Sequence, residues 1–167
     1  VIIESSYEPD KAVWTQADYE HMCWHDVSVH GFAIQVQEGT WHHNLLLDID
    51  YILKWVSPTP PNMNFSFWVA PCTLVFKNVF DLEIATEHVG GRLQVPEIES
   101  LGLVGSFEQE KGVSVYEWHL SFHNFGDIWL KSYGFTQILR AAPVLTGSQA
   151  LSIEERDGIS FDNTPYK

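Results

Sequence analysis

Basic residues are scarce in this chain: nine Lys and Arg stand against 22 Asp and Glu in 167 residues, a formal charge of −13 at pH 7. The acids run from Glu4 to Asp162 instead of gathering in a tail, so the surface as a whole repels phosphate backbones and anionic membranes. That argues against nucleic acid and lipid as partners and for a basic protein, which such a surface attracts and binds faster. The plainer alternative is that the charge serves solubility alone. Cysteine is also scarce. Cys23 and Cys72 are too few and too far apart for a disulfide framework, and neither sits in a CxxC pair. With no cation next to either in sequence, both are expected to be buried or half-buried thiols, not nucleophiles. No apolar run reaches the ~18 residues of a membrane span, and Glu4, Glu8 and Asp10 interrupt the one candidate for a signal sequence. The cytoplasm is therefore the default compartment, although a start at Val1 leaves a removed targeting segment open.

Aromatic residues are plentiful. They make up 14% of the chain, with seven Trp, inside an apolar content of 45%. That much apolar surface must be buried or bound, which points to a globular protein, and the length suits a single domain over residues 1–167. Residues 1 to about 13 read as a loose acidic arm. Thr15 with Asp18 could cap a short helix through Met22, and Ser152 with Glu155 fits the same capping box near the end. The tail from Phe161 reads as frayed.

Between these ends the period is two. Phe32, Ile34 and Val36 alternate with smaller or polar residues, Glu38-Gly39-Thr40 turns the chain, and a second strand runs from about Trp41 to Trp55. Pro58 to Asn62 is a loop. Phe65–Ala70 and Thr73–Val79 read as strands apolar on both faces, with Pro71 marking a bulge, bend or edge between them. Leu82–His88 is a further strand ending at a Gly90-Gly91 turn. The stretch 95–103 carries little signal beyond a single helical turn. Strands return at Val113–His123 and, after a turn at Asn124-Phe125-Gly126-Asp127, at Ile128–Leu139. Seven or eight strands with hairpin-length connections predict an all-β fold, an antiparallel sandwich or open barrel, with Trp68, Phe76, Trp118, Phe122 and Phe135 in its core.

Polar chemistry concentrates between Trp24 and Trp55, where WHDVSVHG turns and returns as LLLDIDYILKW. On the returning strand His42, Asn44, Leu46, Asp48 and Asp50 share one face, and Leu45, Leu47, Ile49 and Tyr51 the other. Asp48 and Asp50 stand about 6.6 Å apart at two strand rises, a separation that suits two carboxylates around one divalent cation or one water. A three-residue turn would put His30 opposite Asp48 and Ser28 opposite Asp50. His25 and Asp26, at the start of the first strand, complete a candidate ligand or metal set of His25, Asp26, His30, Asp48 and Asp50, which could also hold a general base against an acid. The simpler reading, preferred at this level, is an exposed strand face with one cross-strand ion pair worth well under ~1 kcal/mol. Glu117, His119, Ser121 and His123 form a second polar face, from which Glu117 and His119 are the weaker candidates. His119 and His123 lie roughly 13 Å apart along one strand, too far for one metal. His42 and His43 are consecutive and point to opposite faces. There is no P-loop, GxSxG or HExxH motif, so no cofactor is implied beyond a divalent metal.

At WHDVSVHG, LDIDYILKW, FWVAPCTLVFKNVFDLEI and YGFTQILRAAPVL the chain resembles a family of small acidic bacterial proteins of unknown function. The resemblance spans roughly Trp24 to Leu145 and rests on Trp24, His25, Asp26, His30, Asp48, Asp50, Trp68, Pro71 and Gly134 to Gln137. It implies no activity or ligand, and Cys72 stands where the pattern has a small residue. A looser likeness, in size, acidity and strand content alone, is to bacterial immunity proteins that neutralise toxins. Three readings follow: a non-enzymatic acidic protein that binds a basic protein partner, a metal- or small-ligand-dependent enzyme using the His/Asp cluster, and a homo-oligomer subunit joined through exposed Trp residues.

Overall fold

A computed structural model describes residues 6–86 and 92–167. Ten strands among the described residues form one antiparallel sheet: β1 (Val13–Thr15), β2 (Val27–Gln35), β3 (Asn44–Val56), β4 (Ser66–Phe76), β5 (Phe80–Thr86), β6 (Glu97–Gln109), β7 (Val113–Phe122), β8 (Gly126–Ser132), β9 (Phe135–Leu139) and β10 (Val144–Thr146). The spatial order is β1-β9-β4-β3-β2-β6-β7-β8-β5, with β10 pairing with β4 beyond the end of β9. The expected all-β antiparallel class holds, and the three-residue β1 and β10 are among the strands beyond the seven or eight read from periodicity. Among the described residues two short helices, a 3-10 helix at Gln16–His21 and α1 at Ile153–Arg156, begin at the two expected capping boxes on Thr15 and Ser152. No helix among the described residues is long and apolar enough to cross a membrane.

The sheet rolls over on itself. Five strand steps separate β9 from β7, about 24 Å in a flat sheet, yet the rings of Phe135 and Trp118 lie 5.5 Å apart. The corner is the β2–β6 junction, where the ladder is limited to Val27 with Ile98 and Ser28 with Glu97. One core fills the interior, built from Leu45, Leu47, Ile49 and Tyr51 of β3, alternate residues of β4, and Trp118, Leu120 and Phe122 of β7. All five aromatics assigned to the core are buried.

Several expectations are corrected. Residues 97–109 form the long strand β6, not a helical turn; its register slips at Ile98/Ser100 and again at Leu103/Gly105. Two bulges shift the phase, so the buried residues Ile98 and Leu101 stand three positions apart while Leu103 and Phe107 are exposed, and no single alternation runs through the strand. Pro71 does not interrupt its strand: β4 is continuous through it, opposite Asp50. The Pro71 carbonyl points toward the β9 side, accepting from Arg140 N at 3.0 Å, and the missing N–H falls on the same side, in the gap between the stretches of β4 paired by β9 and by β10. The stretch 128–139 is two strands, broken at Tyr133-Gly134, where Gly134 has φ +120° and the chain crosses from one half of the roll to the other. β3 begins at Asn44, leaving Trp41 97% exposed in a loop. Cys72 is buried as expected, but Cys23 is exposed. The tail beyond Phe161 is docked, with Tyr166 N donating to Leu139 O at 3.0 Å and the Phe161 ring so close over Gly31 that a Cβ there would sit 3.0 Å from it. The Gly90-Gly91 turn and His88 lie outside the described residues.

Candidate functional site

The alternation read along β3 is correct, but its polar face is not open. Residues 151–161 lie across it, and Asp48 and Asp50 are both 0% exposed. Their partners are two arginines from remote parts of the chain. Arg156 donates from Nη2 to Asp48 Oδ1 at 2.7 Å, from Nη1 to Asp48 Oδ2 at 3.1 Å and from Nε to Asp50 Oδ1 at 3.1 Å. Arg140 Nη2 reaches Asp48 Oδ1 at 2.6 Å, and its Nη1 donates to Cys72 O, Thr73 Oγ1 and Ser160 O. Backbone N–H groups of Ser160 and Leu151 complete the two carboxylates at 3.0 and 2.9 Å. His30 pairs with Asp50, not Asp48: it occupies a bulge between Val29 and Gly31, which puts Gly31 opposite Asp48 while keeping Ser28 opposite Asp50. From there Nε2 donates to Asp50 Oδ2 at 2.8 Å. Every oxygen of the proposed cation pair is thus engaged by N–H donors, so the group works as a clamp that fastens the C-terminal segment to the sheet.

Burial alone would raise the Asp50 carboxyl, but the hydrogen bonds from His30 and Leu151 and the charge of Arg156 outweigh it and hold Asp50 below the usual carboxylate range. Burial likewise opposes the Arg156 charge, and the two aspartates more than restore it. Asp50 is therefore depressed in the folded state relative to about 3.9 unfolded. Its stabilising contribution is complete above that unfolded value and disappears as pH falls through the folded one. Urea midpoints measured from pH 7 down to pH 2.5 should fall steeply at the acid end for the wild type and more shallowly for Asp50→Asn, which starts lower; parallel profiles would contradict this account. Burial pushes the Cys72 thiol well above its ordinary range, which removes it as a nucleophile.

His25 and Asp26 lie elsewhere, in the turn before β2, and the structure brings to them a residue that sequence reasoning set aside. His123, the first residue after β7, places Nε2 3.1 Å from Asp26 Oδ1, and His25 Nε2 is 3.4 Å from the same oxygen. His123 is too far from His119 along their strand to share a metal with it, and the fold pairs it with Asp26 across the β2–β6–β7 corner instead. Asp26 holds φ +64°, a left-handed conformation that Asp tolerates. Asp26 N donates to Ile98 O at 2.9 Å, and Gln149 Nε2 binds Asp26 Oδ2 at 2.8 Å.

The second polar face is as expected: Trp118, Leu120 and Phe122 point inward, Glu117 and His119 outward. His119 stacks on Trp129 of β8, rings 3.6 Å apart and 5° from parallel, and its Nε2 donates to Asp127 Oδ1 at 2.6 Å. Glu117 faces Lys131 at 3.7 Å, and Lys131 also donates to Asp81 at 2.9 Å. Comparison with family models, curated proteins and solved structures finds no match.

Proposed function

We infer that this protein is a non-enzymatic acidic binding protein whose partner is a basic protein, docked on the outer face of β7, β8 and β5. The observation that carries the reading is the composition of that face. Trp129 is 41% exposed at its middle, with Glu83 opposite it on β5 and Asp81, Glu117 and Asp127 around it. Lys131 is the one Lys or Arg in these three strands. An exposed Trp within a charged rim has the make-up of a binding hot spot, and the sign of the rim selects a cationic partner over a nucleic acid. Charge elsewhere points the same way: setting aside the clamp residues Asp48, Asp50, Arg140 and Arg156 from 22 acids and nine bases leaves 20 acids and seven bases. The competing enzyme reading is weakened because Asp48 and Asp50 are occupied by arginines. A likeness to immunity proteins fits a stoichiometric acidic blocker of this kind.

The test is capture on the immobilised full chain, elution in rising salt and identification of what is released. Basic proteins are expected to elute as the Debye length falls below about 10 Å, and to be lost from Trp129→Ala, a change that should cost about 2 kcal/mol of binding. Glu83→Lys should weaken retention as well. Retention of acidic proteins, or retention indifferent to salt and to Trp129, would overturn the reading.

A further inference from the structure

We propose that His25, Asp26 and His123 form a binding site for a divalent transition metal of the zinc class, separate from the docking face and independent of that reading. One donor atom from each residue lies within 4.8 Å of the others. Ligand atoms on a tetrahedral zinc ion with bonds near 2.0–2.1 Å stand about 3.3 Å apart. The two separations at Asp26 Oδ1, 3.1 Å from His123 and 3.4 Å from His25, already match that edge. The third edge closes by a small rotation of the two rings, whose side chains are 53% and 35% exposed.

Hydrogen bonds around the three residues fit the same ligand set. His25 Nδ1 lies 3.0 Å from the carbonyl oxygen of Glu99, and a carbonyl only accepts, so Nδ1 carries the hydrogen. Nε2 is therefore the ring atom that His25 presents to Asp26 Oδ1, the same oxygen that faces His123 Nε2. Outer partners are present for two of the three ligands in the pattern that orients metal sites: the Glu99 carbonyl fixes the His25 ring, and the Gln149 amide holds the second oxygen of Asp26. Two imidazoles and one carboxylate favour zinc, nickel or copper over magnesium or calcium, which prefer all-oxygen shells. Three protein ligands at an exposed corner leave a coordination position for water or for a group from another molecule.

The experiment uses the full chain stripped of metal by chelation, titrated with Zn2+ by calorimetry and with Co2+ by visible absorption. One equivalent is expected to bind, and Co2+ should give the intense visible bands of a tetrahedral site. His123→Ala and Asp26→Asn should each weaken Zn2+ binding by more than the roughly 10-fold expected for Gln149→Ala, which removes only an outer partner. His42→Ala, in an exposed loop, should bind as the wild type does. His25 and His123 are surface residues, so unchanged circular dichroism and thermal midpoints in the metal-free variants will separate loss of the site from loss of the fold. No binding by the wild type, or equal binding by wild type and the His123→Ala and Asp26→Asn variants, would overturn the assignment.

Discussion

Arg156→Ala is expected to lower the folding free energy by about 3–5 kcal/mol, the range for breaking a buried ion pair by removing one partner. The guanidinium donates to both Asp48 and Asp50, each fully inaccessible to solvent, and also to the Gly158 carbonyl. Its removal leaves Asp50 with only His30 and one backbone N–H, and takes two of the four donors from Asp48. A space lined by carboxylates would remain between β3 and residues 151–161. Urea denaturation at pH 7 measures the loss. Limited proteolysis should locate it, with cleavage appearing first in residues 151–161, because Arg156 and Arg140 are what fasten that segment over β3. Replacing Asp48, Asp50 and Arg156 together by apolar residues of similar volume should be much milder than Arg156→Ala alone, since the cost lies in the uncompensated charge and not in the absence of the pair. A loss below about 1 kcal/mol for Arg156→Ala would mean that the carboxylates find water, and that the segment is not a clamp.

The clamp also shows where reading the sequence stops. Alternation on β3 was legible because both faces of the strand are regular: Leu45, Leu47, Ile49 and Tyr51 enter the core while Asp48 and Asp50 face away. What covers the second face was not legible, because residues 151–161 have no repeating apolar pattern and Arg140 and Arg156 meet Asp48 across 92 and 108 positions of chain. One signal was present and undervalued: Leu46 stands between the polar positions of that face, and in the structure it packs with Val75, Ile138 and Phe161. A wholly solvated face has little use for it. β6 was missed for a different reason, the two bulges that break its period. His123 was missed because a single strand was considered where a corner brings together three. The capping boxes at Thr15 and Ser152 were legible because all their contacts lie within four residues of sequence, which is the range over which a sequence can be read without knowing the fold.

Trp118→Ala should cost about 3–5 kcal/mol, as expected for loss of a fully buried aromatic, and it should do so by loosening the contact between the two halves of the roll. Trp118 is 1% exposed. Its ring meets Phe135 at 5.5 Å and Phe76 at 6.1 Å on the opposite half, and Tyr19 of the 3-10 helix at 5.5 Å, while its Nε1–H donates to Ser132 Oγ at 3.0 Å. Trp118→Phe keeps a ring in place but leaves part of the volume empty and withdraws the donor, so it should fall between wild type and alanine, the hydrogen-bond share being about 1 kcal/mol. The informative control is Trp129→Ala on the adjacent strand. Trp129 lies outside the core, and its removal should change stability by only about 0.5 kcal/mol, as for surface positions generally, while abolishing retention of a basic partner. Two tryptophans on neighbouring strands, one pointing in and one out, then separate folding from binding: equal destabilisation by the two substitutions would show that Trp129 serves the fold, and would remove the centre from the proposed docking face.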